Sequence, residues 1–470
     1  MGAQTMRTIS AAVAAGCMMA GMVLPRAAAG QGYGVYEQGA CVMGRAGTGV
    51  ASACDDGSSI FFNPAGIASA ERQQLSIGGT LIAPKGSFTN DLSGFSSGLT
   101  DAVYPVPNVY YVRPLGGGRA VVGVGLFAPY GLTTEWPDDF EGRFLGYKSR
   151  IAALYAQPTV ALHLTRAVTI GGGIDVSFVK VNLRQRLELS SQIASPPSTT
   201  FGNLGIPYGT DFGDINLNGS GHGIGYHVGL QIEALPGVTI GGRYLARQLV
   251  KIEDATAEIS QIMTGIILPA NNPISAAAGG TSPVPLDVLL APQFGTGGPL
   301  TSQSGATWLR LPEQLVIGLA VQAAPRAKLL FDVQYTNWSV FDRLQLDFEK
   351  LGQRVLREAY RKTYGFRFGG EYALARAATL RAGYYTHGAA APPESVTPNL
   401  PEGARNSFTL GFGTHLTRDL SVDLAYQYIS QADRRGRTGD GGLAEPTASA
   451  NNGLYTFHAH LFGATLALAF

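Results

Sequence analysis

The stretch 55-DDGSSIFFNPAGIAS-69 decides the fold, because it differs from nearly everything that follows it. After residue 72 the chain consists of alternating apolar and polar residues separated by Gly-rich turns, whereas here two phenylalanines precede an Asn-Pro-Ala step. Pro64 disfavours helical backbone at Asn63 and interrupts regular structure. The stretch is therefore predicted to be a compact, kinked apolar element that stands ahead of a large β structure.

The composition is typical of strands, tight turns and aromatic belts. The chain has 470 residues, of which 63 are Gly, 20 are Tyr and 21 are Phe, and only 14% are charged. Gly is about twice as frequent as in an average protein. The length suits either two or three soluble domains or one large β barrel. The net charge of +1 argues against nucleic acid as a partner.

Residues 1–29 have the pattern of a secretory signal peptide. Arg7 precedes an apolar region over residues 9–24, and small residues follow at 27–29. Lipoprotein processing at Cys17 is an alternative, although it would leave a short apolar region. No later stretch of about 18 or more apolar residues is present, so an exported chain of this kind would cross a membrane as a closed barrel.

Segments that alternate with period two recur along the chain. In 329-LLFDVQYTNW-338, for example, apolar and polar side chains alternate. A soluble sandwich would also alternate, but these runs are long enough for strands tilted through a bilayer. Short turns such as 114-PLGGGR-119 alternate with long loops, the longest at about 189–221 and 259–305. The short turns are predicted to face the periplasm and the long loops the cell exterior.

The last residues, 462-FGATLALAF-470, place Leu466, Leu468 and Phe470 in one alternating row. This ending is similar to the signal with which assembly machinery recognises outer-membrane barrels, although Leu461 stands where a polar residue is usual. Together with the leader and the turn asymmetry, it predicts a multi-pass barrel in the outer membrane of a Gram-negative cell. The predicted partners at this location are outer-membrane lipid and the assembly machinery.

Two cysteines, Cys41 and Cys54, remain after the leader. An exported protein enters a compartment that permits disulfides, and a bond that closes this loop would stabilise it by about 3 kcal/mol. The alternative is a pair of small buried apolar side chains. The sequence leaves both readings open.

The opening stretch belongs to a longer run that matches a known motif. The run is 44-GRAGTGVASACDDGSSIFFNPAGIA-68, with Asn63, Pro64 and Ala65 near its end. Further matching blocks follow in order, namely TTEWPDDFEGRFLGYKSRI, LPEQLVIGLA, YTNWSVFDRL, LRAGYY and PNLPEGARNSFTLGFG. Through these blocks, which span about residues 38–430, the chain resembles the FadL family of outer-membrane transporters, which includes long-chain fatty acid and toluene-type hydrocarbon channels.

The resemblance implies an all-β fold, a 14-stranded antiparallel transmembrane β-barrel with an N-terminal hatch, or plug, inside the lumen. Counted on this basis, residues 72–470 contain fourteen strand segments and residues 30–71 form the hatch. The implied function is passive transport of fatty acids or hydrocarbons, which are captured in an outer apolar groove and released sideways through the barrel wall. The resemblance also implies a monomer, and neither a cofactor nor a metal is expected.

In the resembling family the third strand has an inward kink, and 123-GVGLFAPYG-131 offers a physical basis for one. Gly favours bulges, and Pro lacks a ladder donor, so Gly123, Gly125 and Pro129 are predicted to weaken pairing next to Phe127. The alternative is that these residues form ordinary barrel bends.

The residues predicted to hold ligand are apolar or basic. The apolar candidates are Tyr33, Val35, Tyr36, Phe61, Phe62 and Phe127, although packing between plug and wall is the alternative, and the favoured one for Phe61 and Phe62. In 237-GVTIGGRYLARQLVKIE-253, a row of Arg243, Arg247 and Lys251 would bind a fatty-acid carboxylate if it faced the lumen. Pairing of these cations with nearby acids is the alternative.

A general porin and an outer-membrane lipid-active enzyme are the competing functions. An enzyme would need an activated nucleophile beside a base, and the sequence contains no G-x-S-x-G motif. His458 and His460 share a strand face, yet no cysteine or carboxylate at a suitable spacing completes a metal site. The chain is predicted not to be an enzyme, and ion conductance would distinguish a porin from a plugged barrel.

Overall fold

A computed structural model describes residues 32–195, 199–277, 282–436 and 451–470. The predicted signal peptide, residues 1–29, lies outside this part of the chain.

Fourteen antiparallel strands form one closed barrel. The strands are β1 (Gln74–Asn90), β2 (Tyr104–Leu115), β3 (Ala120–Glu135), β4 (Lys148–His163), β5 (Val168–Glu188), β6 (Asp211–Leu235), β7 (Val238–Leu245 and Gln248–Gln261), β8 (Gln303–Leu311 and Gln314–Ala324), β9 (Ala327–Thr336 and Arg343–Phe348), β10 (Gly352–Arg357 and Thr363–Ala375), β11 (Ala378–His387), β12 (Arg405–His415), β13 (Leu420–Gly436) and β14 (Gly453–Ala469). Neighbours in sequence pair with each other, and β14 closes the barrel on β1. The predicted fold class is confirmed.

The two faces of the wall follow the alternation in the sequence. Outward side chains such as Ile77, Ile224 and Leu410 are apolar and more than half exposed. Inward side chains include buried polar groups such as Gln157 and Gln427. An apolar exterior and a polar interior are what a bilayer requires of a barrel wall.

The N-terminal residues fill part of the lumen and are called the hatch, residues 33–69. The hatch contains the helices α1 (Ala40–Met43) and α2 (Ser59–Phe62) and the 3₁₀ turn Pro64–Ser69. Glycines on the inner wall allow its backbone to come close. A Cβ on Gly241 would lie 2.1 Å from the carbonyl oxygen of Val50, so any larger side chain there would displace the hatch.

The long loops differ in part from their predicted bounds. β6 begins at Asp211, so the predicted loop at 189–221 ends about ten residues earlier than expected. The sequence here is rich in Asn, Gly and Asp on both faces, and a strand that extends beyond the bilayer shows no apolar alternation. The predicted 259–305 loop contains the helices α3 (Pro273–Ala277) and α4 (Leu286–Phe294). Among the described helices, none is long and apolar enough to span a bilayer.

Four neighbouring strands, β7 to β10, are each interrupted at the same height of the wall. Leu245 on one side of the β7 break lies opposite Gln314 on one side of the β8 break. Pro312 lacks an N–H and explains the break in β8. In β9 a turn at Trp338–Val340 fills the break and leaves the Trp338 ring buried. The breaks therefore let large side chains enter the lumen at this height.

Candidate functional site: hatch, kinked strand and inner chamber

The third strand bulges inward after Phe127. Phe127 lies opposite Tyr155 of β4, but Tyr130 lies opposite Ala153, so β3 has one residue more than its partner. An extra residue of this kind is a β-bulge, which bends the strand that carries it. Pro129, within the bulge, supplies no N–H to the ladder. The structure therefore has a kink within the stretch for which the sequence predicted one.

The two glycines of that stretch have another role from the one predicted. Gly123 and Gly125 remain paired with both β2 and β4. A Cβ on either glycine would lie 3.0 Å from a side-chain carbon of Ile60 in α2. The expectation that they weaken pairing is wrong, because they instead make room for the hatch.

Above the kink, β2 and β3 separate. Their ladder ends at the pair Val109 and Leu126, although residues 104–108 of β2 still pair with β1. The backbone N–H of Thr100 donates to the carbonyl of Glu135 at 2.8 Å and bounds the separation at its outer end. We call this interval, residues 104–108 of β2 facing residues 127–134 of β3, the window.

Two prolines stand on the β2 edge of the window. The carbonyl oxygen of Tyr111 points toward β3, where a Cβ on Gly123 would lie 2.9 Å from it. The carbonyl oxygen of Val106 points toward β1, where a Cβ on Gly79 would lie 3.3 Å from it. Backbone groups alternate in direction along a strand, so the nitrogens of Pro105 and Pro107 point toward β3. Proline has no N–H, and this edge therefore lacks two of the donors that a ladder would use.

The start of the hatch crosses the inner side of the kink, and residues 33–38 are called the strap. The N–H of Val35 donates to the carbonyl of Pro129 at 2.8 Å. The side chain of Gln38 donates to the carbonyl of Ala128 at 2.7 Å and accepts from the N–H of the same residue at 3.3 Å. The backbone groups that β3 no longer shares with β2 thus find partners in the strap.

Buried charges attach the hatch to the barrel wall. Arg45 of the hatch is fully buried and forms an ion pair of 2.7 Å with Glu371 of β10. Glu371 also contacts Arg381 at 3.1 Å and Lys328 at 3.5 Å. Arg381 is in turn 2.5 Å from Asp423 of β13. The network therefore connects the hatch with β9, β10, β11 and β13.

Neutral hydrogen bonds add to this attachment. Asn63 donates its side-chain amide to the carbonyls of Val50 at 2.6 Å and of Leu230 in β6 at 3.0 Å. Its side-chain oxygen accepts from the N–H of Ala65 at 3.1 Å and so caps the turn that begins at Pro64. The hatch-motif residues thus fix the kink of the opening stretch to the wall.

A disulfide joins Cys41 to Cys54 within the hatch. The sulfur atoms lie near Glu371, but bonded cysteines offer no thiolate to a metal ion. The bond closes a segment with a sequence separation of 13 residues, in which α1 and the loop after it are buried.

Replacement of both cysteines by serine is expected to loosen the hatch without unfolding the barrel. Loss of a cross-link over this loop length costs about 3 kcal/mol, which corresponds to roughly 100-fold faster local opening. Hydrogen exchange of residues 41–54 in the Cys41→Ser, Cys54→Ser variant would show the change, and exchange in β11 to β14 serves as the control. Equal exchange in both proteins would contradict a stabilising role.

Aromatic side chains of strap, hatch and wall surround the centre of the lumen, which we call the inner chamber. Ring centroids lie 4.6 Å apart for Tyr33 and Trp338, 5.3 Å for Tyr36 and Phe61, and 5.2 Å for Phe61 and Phe127. Burial raises the pKa of Tyr36, although the charges of Arg243 and Arg367 act in the opposite direction. Its phenol is therefore neutral at physiological pH. Phe62, also predicted as a ligand contact, packs edge-on against Phe61 at 4.9 Å, as expected for a residue of the hatch core.

Arg243 brings a positive charge into the inner chamber. Its guanidinium donates to the hydroxyl of Tyr36 at 3.1 Å and to the side-chain oxygen of Gln314 at 3.2 Å. It also lies 4.3 Å from the centroid of the Phe61 ring. The side chain is 1% exposed, and its Nε has no hydrogen-bond partner among the described residues. These hydrogen bonds go to neutral groups, which leaves a buried cation able to attract an anion.

The other two cations of the predicted basic row face outward. Arg247 lies in the break of β7 and is exposed, and Lys251 has a side chain that is 68% exposed. The predicted lumen-facing row is wrong for both. The two-residue break at 246–247 shifts the alternation, so that Val250 points inward as Arg243 does.

Above the inner chamber, β4 to β9 form a narrow cleft with an apolar lining. It is lined by Ile151, Val181, Leu217, Ile252, Leu309 and Leu346, among others. A second apolar groove lies outside the barrel, beside the window, and includes Ile77, Leu81, Val106, Pro107 and Leu466. Apolar surfaces thus occur above the inner chamber and on the membrane side of the window.

Sequence reasoning missed several residues of this site. Gln38 is an isolated amide in a segment without periodicity, and only the position of Ala128 reveals its role. Trp338 lies in the matching block YTNWSVFDRL, but its burial beside Tyr33 depends on the break in β9. Arg367 of β10 lies 4.0 Å from the Tyr36 ring and donates to the carbonyl of Ala46 at 2.8 Å, which no local pattern indicates.

Known proteins are similar to this chain in sequence or in fold along most of their length. The long-chain fatty acid transport protein of Escherichia coli is 24% identical over 455 residues, which cover 93% of this chain and 94% of that protein. Outer membrane protein P1 of Haemophilus influenzae is 24% identical over 418 residues, 82% of this chain and 83% of that protein.

Among solved structures, a FadL homologue of Pseudomonas aeruginosa superimposes with a TM-score of 0.77 at 18% identity and covers 94% of this chain and 100% of that one. The toluene transporter TodX of Pseudomonas putida gives 0.67 at 18% identity, with 94% and 99% covered. The family model described as "Outer membrane protein transport protein (OMPP1/FadL/TodX)" matches residues 21–470. The chain therefore belongs to the OMPP1/FadL/TodX family of outer membrane transport proteins.

Proposed function

We propose that this protein carries hydrophobic compounds passively through the outer membrane and releases them sideways through the window. The observation that carries this proposal is the broken ladder between β2 and β3, beside a lumen that the hatch occupies. A ligand that cannot pass straight through the lumen can leave through the wall. The related transporters of fatty acids and toluene support the class of substrate.

Capture and release both follow from apolar burial. A ligand in the outer cleft removes its own surface from water, at about 25 cal/mol for each Å². From the inner chamber, the window leads to the groove beside Leu81 and Leu466, which faces lipid. Release into lipid avoids returning the ligand to water. The transport therefore needs only a concentration difference.

The two competing functions have weaker support. A porin needs an open lumen, and hatch residues such as Ile60 and Phe61 are 0% and 1% exposed. For an enzyme, the side chains of Thr159, His227 and Asp175 form a hydrogen-bonded line, with contacts of 2.9 and 2.5 Å. All three are buried, and the Thr159 hydroxyl also donates to the carbonyl of Gln157 at 3.2 Å. We interpret this line as a structural network and propose that the protein has no catalytic activity.

The further partners follow from the same location. We propose a monomer that lies in outer-membrane lipid and is inserted by the assembly machinery through β14. Phe470 supports insertion through β14, because its side chain is exposed and its N–H donates to the carbonyl of Gln73 at 2.9 Å.

Uptake of labelled oleate and labelled toluene by cells with and without the protein tests the function. We expect faster accumulation of at least one compound when the protein is present. No difference for either compound would contradict transport of these classes. Steady ion conductance in planar bilayers tests the porin hypothesis. A barrel filled by the hatch should pass little current, whereas a porin should pass a large one.

Arg243 makes fatty acids the favoured substrate. The Arg243→Leu variant is expected to reduce oleate uptake by roughly 10- to 150-fold, because a charged hydrogen bond to the carboxylate contributes about 1.5–3 kcal/mol. Toluene carries no charge, and its uptake should change little. Arg247→Gln, which removes an exposed cation of the same strand, is the matched control. An equal fall for oleate and toluene would assign Arg243 a structural role only.

A further inference from the structure

A second surface, away from the window, carries positive charge toward the membrane. On the outward face of five adjacent strands, β4 to β8, each strand has one exposed basic side chain near the upper limit of its apolar surface, and β7 has a second, Arg247, lower down in its break. The five near that upper limit are Arg150, Lys180, His222, Lys251 and Arg310, which we call the basic band. The band is independent of the transport path, because its side chains point away from the lumen.

Strand pairing brings the members of the band close together. His222 and Lys251 lie directly opposite each other on β6 and β7. Lys180 lies opposite Ser220, two residues from His222, and Arg310 is two residues from the partner of Lys251. Such direct and diagonal neighbours are about 5–8 Å apart. A single headgroup can therefore contact cations of adjacent strands.

The band stands at the upper limit of the apolar surface. On β5, β6 and β7 the next outward positions toward the short turns are Phe178, Ile224 and Leu249, which are 54%, 69% and 47% exposed. Apolar side chains this exposed on a barrel wall face hydrocarbon. The cations directly above them thus lie at the depth of lipid headgroups on the outer side of the membrane.

Acidic side chains of the protein do little to neutralise the band. Among the described residues it forms one ion pair, between Lys251 and Glu253 at 4.0 Å, and the two side chains are 68% and 74% exposed. Such exposed pairs are weak. On the opposite wall, the outward residues Thr386, Asn406 and Ser430 lie in register and are neutral, and the same row continues with His458 and with Lys85, which pairs with Asp101 at 3.1 Å. Exposed cations without a close acidic partner are therefore concentrated on β4 to β8.

We propose that the basic band binds the phosphate groups of lipids in the outer leaflet. A phosphate needs cationic donors at headgroup depth, and the acyl chains below it need apolar wall. The band and the surface below it provide both. Each basic side chain near an anionic lipid surface adds to the attraction, so several together bind a multiply phosphorylated lipid.

A lipid-binding experiment with charge-matched variants tests this proposal. The band variant is Arg150→Gln, Lys180→Gln, Lys251→Gln, Arg310→Gln. The control variant removes four exposed cations from the short turns, through Arg166→Gln, Arg326→Gln, Arg376→Gln, Arg418→Gln. Each protein, refolded in detergent, is titrated with diphosphorylated lipid A and with its dephosphorylated form, and bound lipid is counted by native mass spectrometry. Heat-modifiable gel migration shows that each barrel is folded.

Wild type and control variant are expected to bind the phosphorylated lipid equally, and the band variant on the order of 1,000-fold more weakly. The proposal would be overturned if the band variant bound diphosphorylated lipid A as tightly as wild type does. It would also be overturned if wild type bound the dephosphorylated lipid as tightly as the diphosphorylated one. Displacement of the lipid by millimolar inorganic phosphate would also overturn it, because the site would then recognise free phosphate. If the band variant does not fold, the single variant Lys251→Gln takes its place in the experiment. It is expected to bind diphosphorylated lipid A more weakly than wild type, by a smaller factor, and unchanged binding would overturn the proposal.

Discussion

Uptake of hydrophobic compounds is expected to fall to the level of cells without the protein when the window is closed. The variant that closes it lacks Pro129 and carries Pro105→Thr and Pro107→Thr. Without the extra residue, Tyr130 continues the ladder that Phe127 ends, and β3 returns to the wall. The two threonines restore N–H donors on the β2 edge, so that the strands can pair beyond Val109.

The matched control keeps Pro129 and carries only the two threonines. Its β2 edge has its donors, but β3 still bends inward, so uptake should remain close to that of wild type. Folding of both variants can be checked by heat-modifiable migration on gels. Full uptake by the closed variant would mean that ligand does not leave between β2 and β3, and the proposed route would be wrong.

Replacement of Glu371 by glutamine is expected to release the hatch. Arg45 would lose its 2.7 Å partner, and Lys328 and Arg381 would face it without the carboxylate between them. Removal of one member of a buried ion pair costs about 3–5 kcal/mol, because the remaining charge stays buried. Faster hydrogen exchange over residues 40–69 and larger currents in planar bilayers should follow.

A double variant separates charge from packing. In Arg45→Met, Glu371→Leu both charges of the pair are replaced by apolar side chains, which is often close to neutral for stability. Its hatch should exchange more slowly than that of Glu371→Gln. If Glu371→Gln itself leaves exchange and current unchanged, the apolar contacts and the other hydrogen bonds hold the hatch without this ion pair.

The general architecture was predictable because it depends on local patterns. Period-two alternation and turn length indicated long strands that cross a bilayer, and β4 (Lys148–His163) is one of the strands that the structure shows. The same rule placed the start of β6 too late, since β6 begins outside the bilayer at Asp211. Family resemblance supplied the strand number and the hatch, which alternation alone does not determine.

The site was predictable only in part, because its geometry depends on interruptions. The stretch from Gly123 to Pro129 contains the kink, yet the glycines proved to be contacts for Ile60. Arg243 enters the chamber, whereas Arg247 and Lys251 face outward because two residues at the break in β7 change the phase. Such a break leaves no sign in the composition of the segment. The strap residue Gln38 contacts Ala128, 90 positions away, and only the folded chain brings them together.

The prolines of β2 allow an unpaired strand edge to remain stable within the membrane. A backbone N–H without a hydrogen-bond partner in hydrocarbon costs several kcal/mol. An ordinary unpaired strand edge in a bilayer therefore tends to pair with its neighbour or with another strand. At Pro105 and Pro107 there is no amide to leave bare. A slit of this kind can stand open permanently on its β2 side, so the barrier to passage would lie in the strap and its aromatic neighbours and not in the strand edge.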